Sequence, residues 1–133
     1  MNDNYMKALN VAEEALNRIN IIYEKSKIAS FEDIKGCKAT EKVIEDLEDF
    51  IKTMEHYSKK TKEGYLELNS NGRYELKGIE LTCGYPVELW NDKSHSWNDG
   101  RIGHSEEYGG YYFYNYDEEH AMLSDGIKAR VRI

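Results

Sequence analysis

The hydrophobic pattern of this 133-residue chain changes period once, near residue 62, and that change restricts the fold more than any single motif does. Before it, Tyr5, Leu9, Ala12, Leu16, Ile19 and Tyr23 recur at spacings of four and three, the seam of an amphipathic helix, with Ala8, Ala15 and Ile22 widening it. Asn2, Asp3 or Asn4 can cap its start, because each short side chain can accept from the unpaired amides of a first turn. A second helix repeats the rule through Val43, Leu47, Phe50, Met54 and Tyr57, flanked by Ile44 and Ile51. Thr40 is its expected cap. Ser30-Phe31-Glu32-Asp33 has the form of a capping box, read here as starting only a short turn that Gly36 interrupts. Lys59, Lys60 and Lys62 are expected to close the second helix, where the helix dipole favours cations. Two matching seams and a short connector predict an antiparallel helical hairpin over residues 1–62.

Beyond Gly64 apolar residues alternate instead, and turn residues multiply. Strands are expected over 65–68, 73–76, 79–81, 87–90, 101–102, 111–116 and 127–133, with Asn69-Ser70-Asn71-Gly72 as a hairpin loop. The single proline, Pro86, falls at a strand start, where its missing amide does least harm. Many short strands without an intervening helix predict a small antiparallel β-barrel over residues 63–133. The fold class is therefore α+β.

Charge narrows the function. Lys and Arg number 18 against 25 Asp and Glu, a formal net charge of -7, which opposes direct binding to nucleic-acid phosphates. No apolar run is long enough for a membrane span, and no basic start leads into an apolar stretch, so the expected compartment is the cytoplasm. Cys37 and Cys83 lie far apart and match no metal-ligand or disulfide spacing; both are expected reduced and at least partly buried. His56, His95, His104 and His120 sit in no nucleophile or zinc motif, so neither a metal nor a cofactor is expected and the histidines read as loop and surface residues.

An ordered string of residues runs through the second half: Arg73-Tyr74-Glu75-Leu76, Gly78-Ile79-Glu80-Leu81-Thr82-Cys83-Gly84, Pro86-Val87-Glu88-Leu89, Trp97, Gly100-Arg101-Ile102, Gly109-Gly110-Tyr111-Tyr112-Phe113, Leu123 and Gly126-Ile127-Lys128-Ala129-Arg130-Val131-Arg132. This stretch, 73–132, resembles an uncharacterised family of small domains common in proteins of Gram-positive bacteria and their phages and plasmids. The resemblance implies a context of mobile elements, whose small acidic proteins include anti-CRISPR inhibitors. Separately, a strand, a turn, Trp-x-x-Gly-Arg-Ile, an aromatic strand and a last alternating strand are the order expected of an SH3-like barrel.

Eight of the eleven tyrosines and both tryptophans lie from Tyr65 onward. In Tyr111-Tyr112-Phe113-Tyr114-Asn115-Tyr116 a period of two sends aromatics to both faces. With Phe113 and Tyr111 inward, Tyr112, Tyr114 and Tyr116 form an outer ladder near Trp90 or Trp97, either an interface hot spot or simple cross-strand packing. Acids bracket this strand. Residues 99–125 hold seven of them, including Glu106, Glu107, Asp117, Glu118 and Glu119, against Arg101 alone, and Glu41, Glu45, Glu48 and Asp49 avoid the seam of the second helix. These acids form either a solvated surface or a patch that steers toward a basic protein. The expected function is that of a non-enzymatic protein-binding module, an inhibitor occupying a basic, nucleic-acid-binding groove of a defence protein such as a CRISPR effector nuclease. A peptide-reading SH3-like module and a small hydrolase or nuclease are the alternatives, the latter without an organised site.

Overall fold

In the computed structural model, which describes residues Met1–Ile133, Asn2 caps the first helix by accepting from the Asn4 amide at 2.8 Å, and α1 runs Asp3–Lys25. The second helix starts ten residues before its expected cap, at Ser30: α2 spans Phe31–Ser58 without a break. Ser30 Oγ accepts from the Asp33 amide at 3.1 Å, while the Asp33 carboxylate accepts from the Ser30 amide at 3.1 Å and the Ala29 amide at 2.9 Å. This reciprocal box outweighs the cost of a mid-helix glycine, about 1 kcal/mol relative to alanine. Thr40 lies inside the helix instead, its hydroxyl donating to the Gly36 carbonyl at 2.7 Å. Gly36 therefore does not interrupt the helix. Helix α2 ends at Ser58, so Lys59 is its cap and Lys62 belongs to the β-domain that follows.

The hairpin turns over residues 26–30 and packs α1 on α2. Leu9 and Ala12 are buried, with Leu16, Ile19 and Tyr23 half-buried along the same stripe. On α2 the half-buried series is Cys37, Thr40, Ile44, Leu47, Ile51 and Met54, spaced by three and four. The seam therefore runs one position round from the expected one, and Val43 and Phe50 are exposed. No helix is long and apolar enough to cross a membrane.

The chain divides into two units, Met1–Lys59 and Lys60–Ile133. The second unit holds nine short strands: β1 (Thr61–Tyr65), β2 (Glu67–Leu68), β3 (Tyr74–Leu76), β4 (Ile79–Glu80), β5 (Pro86–Asn91), β6 (Ser96–Ser105), β7 (Gly110–Asn115), β8 (Ala121–Met122) and β9 (Lys128–Arg132). They pair antiparallel in a six-stranded sheet, ordered β1-β9-β5-β6-β7-β8, and a three-stranded one, β2-β3-β4. Two helices followed by a small antiparallel β-domain make the chain α+β.

Both sheets close on one core of Leu66, Leu76, Leu81, Val87, Leu89, Ile102, Phe113, Leu123, Ala129 and Val131. Gly100 is needed where Phe113 crosses it: a Cβ there would stand 2.6 Å from the Phe113 ring and would also meet the Tyr114 carbonyl oxygen. Four elements depart from the sequence expectation, β8 among them, since it forms over residues expected to be loop. Strand β1 takes residues read as the helix exit, β6 extends far beyond Arg101-Ile102, and a 3-10 turn, Glu106–Tyr108, interrupts the strands.

Candidate partner-binding surface

Strand register decides which side chains share the outer face. Trp90 pairs with Trp97 and Glu88 with Asp99 across β5 and β6, Arg101 pairs with Tyr114 and Gly103 with Tyr112 across β6 and β7, and Glu88 pairs with Arg130 across β5 and β9. Because alternate residues point to opposite faces, these side chains, with Lys128 and Arg132, all project away from Phe113 and the core.

Within that face the rings of β7 form a continuous series. Arg101 lies 4.4 Å over the Tyr114 ring, Tyr114 stacks on His120 at 4.2 Å, His120 meets Tyr112 at 5.7 Å, and Tyr112 stacks on Tyr108 at 4.4 Å. Local hydrogen bonding places the two residues that lie outside the strand. Ser105 Oγ caps the 3-10 turn by accepting from the Glu107 amide at 3.3 Å, and Gly109 leaves it at φ 75°, which brings Tyr108 back over β7. After β7 the buried Asn115 side chain accepts from the amides of Asp117 and Glu118 at 3.0 and 3.2 Å, folding the acidic loop tightly. His120 Nδ1 then accepts from the Asn115 amide at 3.2 Å, which fixes the ring against Tyr114. Glu106 and Glu107 beside Tyr108, and Asp117, Glu118 and Glu119 beside His120, are exposed. Tyr112 and Tyr114 are half-buried and Tyr116 is exposed, 6.1 Å from the Tyr114 ring.

Trp90 and Trp97 make a second cluster, edge to face at 5.2 Å. Their rings are occupied by the chain's own cations: Lys128 lies 5.1 Å over Trp90 and Arg130 4.3 Å over Trp97. Beneath them the Glu88 carboxylate accepts from Arg130 Nη2 and Arg132 Nε, each at 2.9 Å, in a site that leaves Glu88 only 5% exposed. Burial pushes the Glu88 carboxyl up, but the bonds from Arg132 and Arg130 outweigh it and hold the group below the usual carboxylate range. The cluster thus joins the two packed indole rings to a buried, charge-balanced ion triad.

Of Glu41, Glu45, Glu48 and Asp49 on α2, Glu41 is engaged: it accepts from the Tyr23 hydroxyl at 2.7 Å and lies 3.4 Å from Cys37 Sγ. The bond to Glu41 pushes the Tyr23 phenol up to about 12, and the same bond, with that from Cys37, lowers Glu41. Glu45, Glu48 and Asp49 are exposed on the same flank of the helix. Cys83 is exposed, against expectation, because Thr82-Cys83-Gly84 turns at the surface ahead of β5 rather than entering the core.

The structure thus brings together Tyr112, Tyr114 and the acidic rims, sets Trp90 and Trp97 on the same face under intramolecular cations, and leaves the α2 acids in the other unit. Sequence reasoning missed Arg101, whose partner is set by strand register, and Tyr108 and His120, which the local turns on either side of β7 bring onto Tyr112 and Tyr114. The cationic stripe was findable: Lys128-Ala129-Arg130-Val131-Arg132 alternates by two and so places three cations on one face. No group of three or more His, Cys, Asp or Glu side chains is placed to hold a metal ion.

Fold and surface define a small antiparallel β-domain that presents an aromatic face. Residues 64–131, just over half of the chain, match the model of a family described as Domain of unknown function (DUF5348), and the chain belongs to that family. No curated protein and no solved structure matches it.

Proposed function

We propose that the chain acts without catalysis as a protein-binding module, and that the Tyr108–Tyr112–His120–Tyr114 stack with its two acidic rims is the contact surface. The observation that carries this reading is the coincidence in space of stacked, partly exposed rings and acids from two separate loops. Rings of this kind supply rigid contact area at an interface centre, while rim acids steer a partner of opposite charge. The partner chemistry is a basic protein surface, whose Lys or Arg can seat on a tyrosine face as Arg101 does on Tyr114 within the chain. A net charge of -7 favours such a surface over nucleic acid itself.

In its most specific form the module is an inhibitor from a mobile element that occupies the nucleic-acid-binding groove of a cytoplasmic defence protein, such as a CRISPR effector nuclease. A second reading, an SH3-like module that reads peptides, is favoured by a groove lined by Trp90, Ala121, Met122 and Ile127, with Glu118 and Glu119 at its edge.

Affinity capture from a host lysate should recover a basic protein that nucleic acid displaces from the chain. Lys at 117, 118 and 119 together should slow association by about tenfold and flatten its salt dependence. The pair Tyr112→Ala and Tyr114→Ala should instead shorten the complex's lifetime, each ring contributing more than about 1 kcal/mol. Should both variants, shown to be folded, bind like the parent, the contact surface lies elsewhere.

A further inference from the structure

We propose that the helical hairpin self-associates, with α1 of each chain lying antiparallel on α2 of a second copy to form a four-helix bundle. One flank of the hairpin is apolar on both helices. On α1 it is the series Ala8, Val11, Ala15, Arg18 and Ile22, and on α2 Ala39, Val43, Asp46 and Phe50, each stepping by three and four beside the buried seam. Ile22, Ala39 and Val43 line one shallow groove with Ile19 and Thr40, so the two series lie on the same side of the hairpin. Val11 is 67% exposed, Ile22 65%, Val43 45% and Phe50 38%. The acids Glu41, Glu45 and Glu48 occupy the opposite flank of α2, which leaves this one almost uncharged.

Charge complementarity identifies the occupant as another copy. Each series contains a single charged residue, Arg18 on α1 and Asp46 on α2. The shared groove sets Ile22 level with residues 39–43, and equal rises along antiparallel helices then bring Arg18 level with Asp46 and Val11 level with Phe50. A two-fold axis parallel to the helices lays α1 of one chain over α2 of the other at the same height. Ile22 then meets Ala39 and Val43 of the second copy, Val11 meets its Phe50, and Arg18 meets its Asp46, with every contact repeated by symmetry. Within one chain Arg18 is held only by Glu14, at 2.8 Å, and Asp46 only by Lys42, at 3.6 Å, both exposed i,i+4 pairs that exchange at little cost.

The size is sufficient. A strip three to four helical turns long and two helices wide on each copy buries on the order of 1,000 Å² in total, where specific interfaces begin.

Sedimentation of the full chain over micromolar concentrations should show a reversible dimer at twice the chain mass. Val43→Glu, at a position exposed in the single chain, should yield a monomer of unchanged helical content. Arg18→Asp and Asp46→Arg should each raise the dimer dissociation constant at least about tenfold, because each places like charges together twice, and combining them should restore the parent's value. A parent chain that sediments as a monomer throughout overturns the proposal. So does a dimer indifferent to Val43→Glu, or a double charge exchange that fails to recover association while its helices remain intact.

Discussion

Glu88→Ala is expected to destabilise the β-domain by about 3–5 kcal/mol, the usual cost of removing one partner from a buried ion pair. Arg130 and Arg132 both donate to this carboxylate from β9, and their side chains are mostly covered. Without it, both guanidinium groups lose the buried carboxylate to which they donate and that balances their charge. Glu88→Gln keeps the shape and one acceptor oxygen and should fall between parent and alanine variant. The effect has a pH signature. Folded Glu88 titrates below its ordinary value of 4.5, so its contribution is complete above about pH 4.5 and is lost as the pH falls through the lower folded value. Denaturant titrations should therefore show a large gap between parent and variant at neutral pH that narrows in acid. Equal midpoints at pH 7 would mean that the triad adds nothing to stability.

Phe113→Ala should be as damaging, by about 3–5 kcal/mol, from lost burial and from the cavity left behind. Phe113 is 1% exposed, pairs in register with Ile102 and lies directly over Gly100. Gly100 offers no side chain to collapse into the space. A small domain commonly has about 5–15 kcal/mol in hand, so this loss should bring the β-domain close to its unfolding threshold. Near-ultraviolet circular dichroism would register the loss of ordered aromatics, while the helical signal of residues 1–59 should persist. Phe113→Leu, which retains most of the volume, should be clearly milder. A variant at 113 that melts with the parent would place the core elsewhere.

The two domains were legible because hydrophobic period is a local property: four-three spacing over residues 5–23 and alternation after Gly64 each specify a backbone geometry without reference to a partner. The hairpin loop at residues 69–72 was legible for the same reason, and the structure pairs Glu67 with Glu75 and Leu68 with Tyr74 around it. The outward direction of Tyr112 and Tyr114 followed from their parity with Phe113. The helical seam and start did not follow. Helix α2 carries two overlapping apolar series one position apart, through Val43 and Phe50 or through Ile44 and Ile51, and only packing against α1 selects the second. Ser30 and Thr40 are both competent caps, and the choice depends on whether the helix tolerates Gly36, which the Asp33 half of the capping box helps it to do.

The site divides in the same way. By itself the sequence determined that a tyrosine ladder and acidic loops are neighbours along the chain, because a strand and the loop that follows it stay together in any fold. Only the tertiary structure decided that His120 stacks on Tyr114, that Tyr108 folds back onto Tyr112, and that Arg130 and Arg132 reach a buried Glu88 more than forty residues away. The two turns that carry Tyr108 and His120 are closed by local hydrogen bonds, whereas the Glu88 contacts depend on strand order and register. Those are set by the shared core of the two sheets, a non-local balance of burial that no local pattern of residues encodes.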